Sequence, residues 1–161
     1  MKKRLLSILT ALCLCLTLLP TAVLAEDSRL AEPDEALAAS NGTSVAYLTL
    51  AGKGAIMSWH KTLEDAISAA MKLADSENAN VDIIIDETVE TLSVTGTPEI
   101  CSAHNITLDL QGCAVSGTIS VGSTDGTQTG TLEIKDNQTF GGRGSIENVA
   151  VHTHSSLTLN G

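Results

Sequence analysis

The chain has 161 residues, with 19 Asp and Glu against 9 Lys and Arg, and a formal net charge of −10 at pH 7. That balance repels phosphate backbones and anionic membrane surfaces, so nucleic acid is excluded as a natural partner. Aromatic residues make up only 2% of the sequence. A core built around large rings is therefore excluded too, and packing falls to Ile, Leu, Val and Ala.

The N-terminus reads as an export signal. Met1-Lys2-Lys3-Arg4 is a positive start, and Leu5 to Leu19 is apolar apart from Ser7, Thr10 and Thr17. Pro20 breaks the run, and Val23-Leu24-Ala25 places small residues where a signal peptidase reads them. This pattern predicts a cleavable signal peptide over residues 1–25. The run is too short for a permanent anchor, and no stop-transfer charge cluster follows it. No membrane association is therefore expected after cleavage. Cys13 and Cys15 each follow a leucine, which argues against a lipoprotein cut. Removing 25 of the 161 residues leaves 136, and the loss of Lys2, Lys3 and Arg4 takes the net charge from −10 to −13. Cys101 and Cys113 remain. An exported chain can bridge them, and two separate thiols is the alternative.

Residues 26–44 read as a flexible acidic leader, alanine-rich, with Pro33 and an Asn41-Gly42 turn signal. Residues 45–80 read as an N-terminal strand and a capping helix. Val45 to Leu50 is a short strand and Gly52-Lys53-Gly54 a turn. That turn is not a phosphate loop, since the spacing and the following Ser/Thr are missing. Thr62 can cap a helix, with Asp65 three residues on. Leu63, Ala66, Ile67, Ala70 and Ala74 then share one helical face. Glu64 and Asp65 sit near the positive end of its dipole. The helix should stop near Asp75 to Asn78, and Asn78-Ala79-Asn80 is a turn.

From residue 81 to 161 the pattern changes to short alternating runs separated by Gly, Asn, Asp and Ser. Ile83-Ile84-Ile85, Leu108-Asp109-Leu110, Leu132-Glu133-Ile134 and Leu157-Thr158-Leu159 share an in–out–in pattern at steps of 25, 24 and 25 residues. Leu108-Asp109-Leu110-Gln111-Gly112 also parallels Leu157-Thr158-Leu159-Asn160-Gly161. Hairpins have no need of such a period, whereas a solenoid does, because each coil returns to the same face. The expected fold is mainly β: a parallel β-helix with coils of about 25 residues, stacked Ile, Leu and Val inside, and one N-terminal capping α-helix. The predicted ladder runs Ile83–Leu108–Leu132–Leu157, with Ile85–Leu110–Ile134–Leu159 beside it. The final run, Ser156 to Asn160, is expected at an edge without a partner. Such an edge continues into further coils or self-associates, so the β-helix is expected to be incomplete at its C-terminus.

Four segments carry a resemblance. They are Trp59-His60-Lys61-Thr62-Leu63-Glu64-Asp65-Ala66-Ile67, Asn105-Ile106-Thr107-Leu108-Asp109-Leu110-Gln111-Gly112, Gly141-Gly142-Arg143-Gly144-Ser145-Ile146 and Ser156-Leu157-Thr158-Leu159-Asn160-Gly161. The chain resembles the N-terminal region of large repetitive surface proteins of Gram-positive gut bacteria. The resemblance implies a right-handed parallel β-helix of the pectate-lyase-like type. It implies little about activity, because the matching residues are packing and turn residues.

Enzymes of that fold include polysaccharide lyases and glycoside hydrolases. In the predicted ladder Asp109 and Glu133 would be neighbours about 4.8 Å apart, near the spacing of a retaining carboxylate pair. Nothing in the sequence supplies the walls of a sugar cleft, so a solvated acidic face relieved by Lys135 is the preferred reading. A lyase would want a base beside bound calcium, and Lys135 and Arg143 are too isolated to supply it. Gly141-Gly142-Arg143-Gly144-Ser145 echoes a calcium-binding repeat, but Ile146 stands where Asp is required. His152 and His154 would share one side of a strand, and no third zinc ligand is placed near them. Trp59 could stack on a sugar, and packing at the start of the helix is preferred. No catalytic, cofactor-binding or metal-binding residue is assigned.

The expectation is a non-catalytic bacterial module, secreted or on the cell surface. It would be stalk-like or adhesin-like, with a glycan or a host or cell-surface partner. The rival is the N-terminal part of a carbohydrate-active enzyme, a lyase or glycoside hydrolase, whose catalytic coils lie beyond residue 161.

Overall fold

The computed structural model describes residues 44–138 and 142–160. The expected signal peptide over 1–25, and all of the leader but Ser44, lie outside the described residues. In chain order the elements are β1 (Ala46–Leu50), β2 (Ile56–His60), α1 (Leu63–Glu77), β3 (Val81–Ile85), β4 (Thr91–Ser93), β5 (Glu99–Ile100), β6 (Asn105–Asp109), β7 (Ala114–Val121), β8 (Thr131–Lys135), β9 (Ser145–Val151) and β10 (Ser156–Asn160).

The chain is a parallel β-helix of about three turns, as the repeat predicts. β3, β6, β8 and β10 stack in parallel as one wall. β7 forms the opposite wall, with β4 and β5 on one side and β9 on the other. Coils can return in this way because tight turns sit at fixed places. After β6, Gln111 and Gly112 both have positive φ, 47° and 81°, and Cys113 N–H donates to Leu110 O at 2.8 Å. Two successive left-handed residues make a type I′ reversal, which glycine tolerates best. β7 then bends at Gly117, where its pairing with β9 slips.

Alternation places apolar side chains inside. Ile83, Ile106, Leu108, Ile119, Val121 and Leu132 are all fully buried in one continuous core. The ladder differs from the expected one at a single step. Ile83 pairs with Leu108 and Leu132 with Leu157, as predicted. Between the second and third coils, however, Ile106 pairs with Leu132 and Leu108 with Ile134. The columns are therefore Val81–Ile106–Leu132–Leu157 and Ile83–Leu108–Ile134–Leu159. A slip of two residues leaves every side chain on its own face, so alternation alone cannot choose between the registers. The observed register brings Asp136 level with the Gln111-Gly112 turn. There its carboxylate accepts from Gly112 N–H at 2.8 Å and Gly144 N–H at 2.7 Å, tying two successive coils together.

Paired cysteines test this register. Thr107→Cys with Glu133→Cys should form a disulfide readily under mild oxidation, because the two residues are direct partners. Thr107→Cys with Thr131→Cys should not, since a two-residue offset separates the Cα atoms by about 8 Å. The measurement is the cross-linked fraction by non-reducing peptide mapping.

The N-terminal end is closed in two ways. The first is the expected helix. Thr62 caps it, its Oγ1 accepting from Asp65 N–H at 3.1 Å, and Asn78 ends it in the left-handed region at φ 49°. Leu63, Ala66, Ile67, Ala70 and Ala74 are buried in the same core as Ile83. α1 packs on β3 and β1 and so covers the open end of the first coil. The second closure was not foreseen in the sequence. β1 and β2 form an antiparallel hairpin, and β1 pairs antiparallel with β3, extending the wall by two strands. Trp59 lies in β2, with its ring against Tyr47. At the other end, β10 lies at the edge of the wall and Leu159 is 69% exposed.

Candidate functional site

The outward columns of the long wall follow from the register. One runs Trp59–Tyr47–Ile84–Asp109–Lys135–Asn160, and its neighbour contains Thr49–Asp82–Thr107–Glu133–Thr158. Asp109 and Glu133 thus stand in different columns, two residues out of step, and the expected adjacency is corrected. Asp109 is beside Lys135, at 3.9 Å between Oδ2 and Nζ, and Glu133 is beside Thr107.

Both carboxylates are engaged by neighbouring groups. Asp109 is only 2% exposed. Its Oδ2 accepts from Asn137 Nδ2 at 2.7 Å, and its Oδ1 from Asn137 N–H at 3.1 Å and Gln111 N–H at 3.4 Å. These bonds pin the third coil to the second, so Asp109 acts as a staple. The reading of Asp109 as part of a solvated acidic face is likewise corrected, although its relief by Lys135 holds. Glu133 accepts from Asn160 Nδ2 at 2.6 Å and Asn105 Nδ2 at 3.3 Å.

The other sequence candidates are scattered. His152 and His154 flank a turn after β9, not a strand, with Ser155 N–H donating to His152 O and His154 at φ 62°. Among the described residues no group of three His, Cys, Asp or Glu side chains is placed to hold a metal ion. In the glycine-rich segment Gly141 lies outside the described residues, and Gly144 is held by Asp136. Cys101 and Cys113 are separate thiols. Burial raises the pKa of both, and the charges of Glu99 and Asp125 add to the effect at Cys101, so both are poor nucleophiles.

One of the clefts among the described residues, of about 320 Å³, lies at the N-terminal corner and is lined by Tyr47, Trp59, Ile85, Asp86, Glu87, Thr88 and Gln111. The hairpin β1–β2 supplies the two rings, with centroids 4.8 Å apart and planes tilted by 49°. The loop after β3 supplies Asp86, Glu87 and Thr88. That loop is tied down: Asp86 Oδ1 accepts from Thr88 N–H at 2.9 Å and Thr88 Oγ1–H at 2.6 Å, and Asp86 N–H donates to Val45 O at 2.9 Å. Gln111 comes from the type I′ turn after β6. Burial first, then the charges of Asp109, Asp86 and Glu87, push the Tyr47 phenol above its ordinary pKa, so it remains a neutral donor. A second hollow of about 420 Å³ shares Glu87 and Gln111 with the cleft and is lined further by Glu90, Thr91 and Gln138. Sequence reasoning singled out Trp59 alone among these residues. Tyr47 carried no signal, because its pairing with Trp59 depends on a hairpin whose second strand, Ile56–His60, lacks clean alternation.

No family model, no curated protein and no solved structure matches the chain. The functional reading therefore rests on its own geometry.

Proposed function

We propose that the chain is a non-catalytic β-helix module of a secreted or cell-surface bacterial protein, stalk-like or adhesin-like, that binds glycan through its side. The observation that carries this reading is the engagement of the outward carboxylates. Asp109, Glu133 and Asp136 hold backbone amides and side-chain amides of neighbouring coils, where a glycosidase would keep a pair facing substrate. They serve rigidity, and a rigid rod with a polar surface suits presentation better than chemistry. The charged, apolar and small-residue sections at the N-terminus support export.

Expression of the whole chain in a Gram-positive host tests the reading. The expected product is found outside the cytoplasm, begins at Glu26 by N-terminal sequencing, and releases no reducing ends or unsaturated uronates from polysaccharide. Retention in the cytoplasm with Met1 intact would remove the export reading. Product release would favour the carbohydrate-active enzyme.

A further inference from the structure

The cleft at the hairpin corner has the chemistry of a ligand site, and its composition narrows the ligand. Among the described residues no Lys or Arg lines it or the neighbouring hollow, while Asp86, Glu87 and Glu90 do. An anionic sugar or a phosphate would be repelled there. Two aromatic rings on one wall offer apolar faces. Glu87 and Gln111 offer acceptors and a donor, and Thr88 spends its hydroxyl proton on Asp86, which leaves its lone pairs outward as acceptors.

A cation is the obvious competitor for an aromatic and acidic cleft. One observation weighs against it: Asp86 Oδ1 already accepts from the N–H and the hydroxyl of Thr88, which weakens that oxygen as a cation ligand. A hydroxyl group both donates and accepts, so it can serve the Glu87 carboxylate and the Gln111 amide together. The second hollow, on the other side of the shared Glu87 and Gln111, offers room for a further sugar unit.

We infer that the cleft formed by Tyr47, Trp59, Asp86, Glu87, Thr88 and Gln111 is a binding subsite for a neutral oligosaccharide. This rests on the proposed glycan-binding role of the module. The rings stack on the CH-rich face of a pyranose, and Glu87 and Gln111 bind its hydroxyls. The neighbouring hollow takes the next unit.

Trp59 is the sole tryptophan, so its emission reports on the site directly. The experiment titrates the mature protein with neutral hexasaccharides of β-glucose, β-mannose, β-xylose and α-glucose, and separately with tetramethylammonium and tri-lysine. Calorimetry accompanies each titration. At least one hexasaccharide should give a saturable shift in Trp59 emission. Tyr47→Ala should weaken that binding about tenfold, the loss of one aromatic contact. Glu87→Ala should weaken it about threefold; Glu87 is exposed, so this variant stays informative if Tyr47→Ala fails to fold by circular dichroism. Neither cation should move the emission. A heat of binding that both variants retain in full would overturn this subsite and leave a glycan-binding module with its site elsewhere. Silence with every sugar would overturn both the subsite and the glycan-binding role. Saturation by the cations alone would make this a cation site and refute the inference.

Discussion

Replacing Ile67 by Asp should cost more than about 4 kcal/mol and unfold the N-terminal end of the β-helix. Ile67 is fully buried between α1 and the first coil, in the core shared with Leu48, Ile83 and Ile85. A carboxylate there has no cationic partner to meet, since the buried face of the helix is Leu63, Ala66, Ile67, Ala70 and Ala74. It must ionise in an apolar site or lift the helix, and either route opens the end of the solenoid. Lys72→Asp, on the exposed face of the same helix, should change stability by no more than about 0.5 kcal/mol. Urea denaturation followed by circular dichroism measures both. An opened first coil exposes a strand edge, so Ile67→Asp should also raise the apparent mass by light scattering. If Ile67→Asp behaves like Lys72→Asp, α1 does not close the core.

Gly130→Ala should cost about 3 kcal/mol or more, through backbone instead of side chains. Gly130 leads into β8, and its amide and carbonyl engage Ser155 Oγ at 3.1 Å and Ser156 N–H at 2.9 Å. A Cβ at this position would collide with the Ile100 carbonyl, whose oxygen is fixed by Gly122 N–H at 2.9 Å. Three coils meet there, and none can yield without breaking a rung. Gly126 provides the contrast. It has φ 72° but nothing within 4 Å of a Cβ, so Gly126→Ala should cost only about 1–2 kcal/mol from backbone strain. The difference between the two midpoints in thermal or urea unfolding separates close approach from conformational preference. Equal losses would mean that the coils at Gly130 are looser than their spacing requires.

The sites of these effects differ in how far the sequence reveals them. Ile67 is legible from its place in a 3.6-residue pattern behind the Thr62 cap. Gly130 is not, because the carbonyl it approaches belongs to Ile100, a full coil earlier. The same contrast divides the proposed subsite. Trp59 draws notice as the sole tryptophan, whereas Tyr47, Asp86 and Gln111 become neighbours only through pairing between distant strands.

Local periodicity by itself determined the β-helix class, the inward Ile, Leu and Val, the helix capped by Thr62 and the turn at Asn78. Each is a property of a few consecutive residues or of a recurrence near 25, and short-range geometry enforces it. Tertiary structure alone decided the step between the second and third coils. Matching Leu132-Glu133-Ile134 to Leu108-Asp109-Leu110 keeps apolar residues together, and the fold rejects it in favour of a register that brings Asp136 level with the Gln111-Gly112 turn. The two registers present identical faces to core and solvent, so hydrophobic burial scarcely distinguishes them. What distinguishes them is a set of hydrogen bonds across coils, from Gly112 N–H to Asp136 and from the Asn137 side-chain amide to Asp109, which exist only once the coils are stacked.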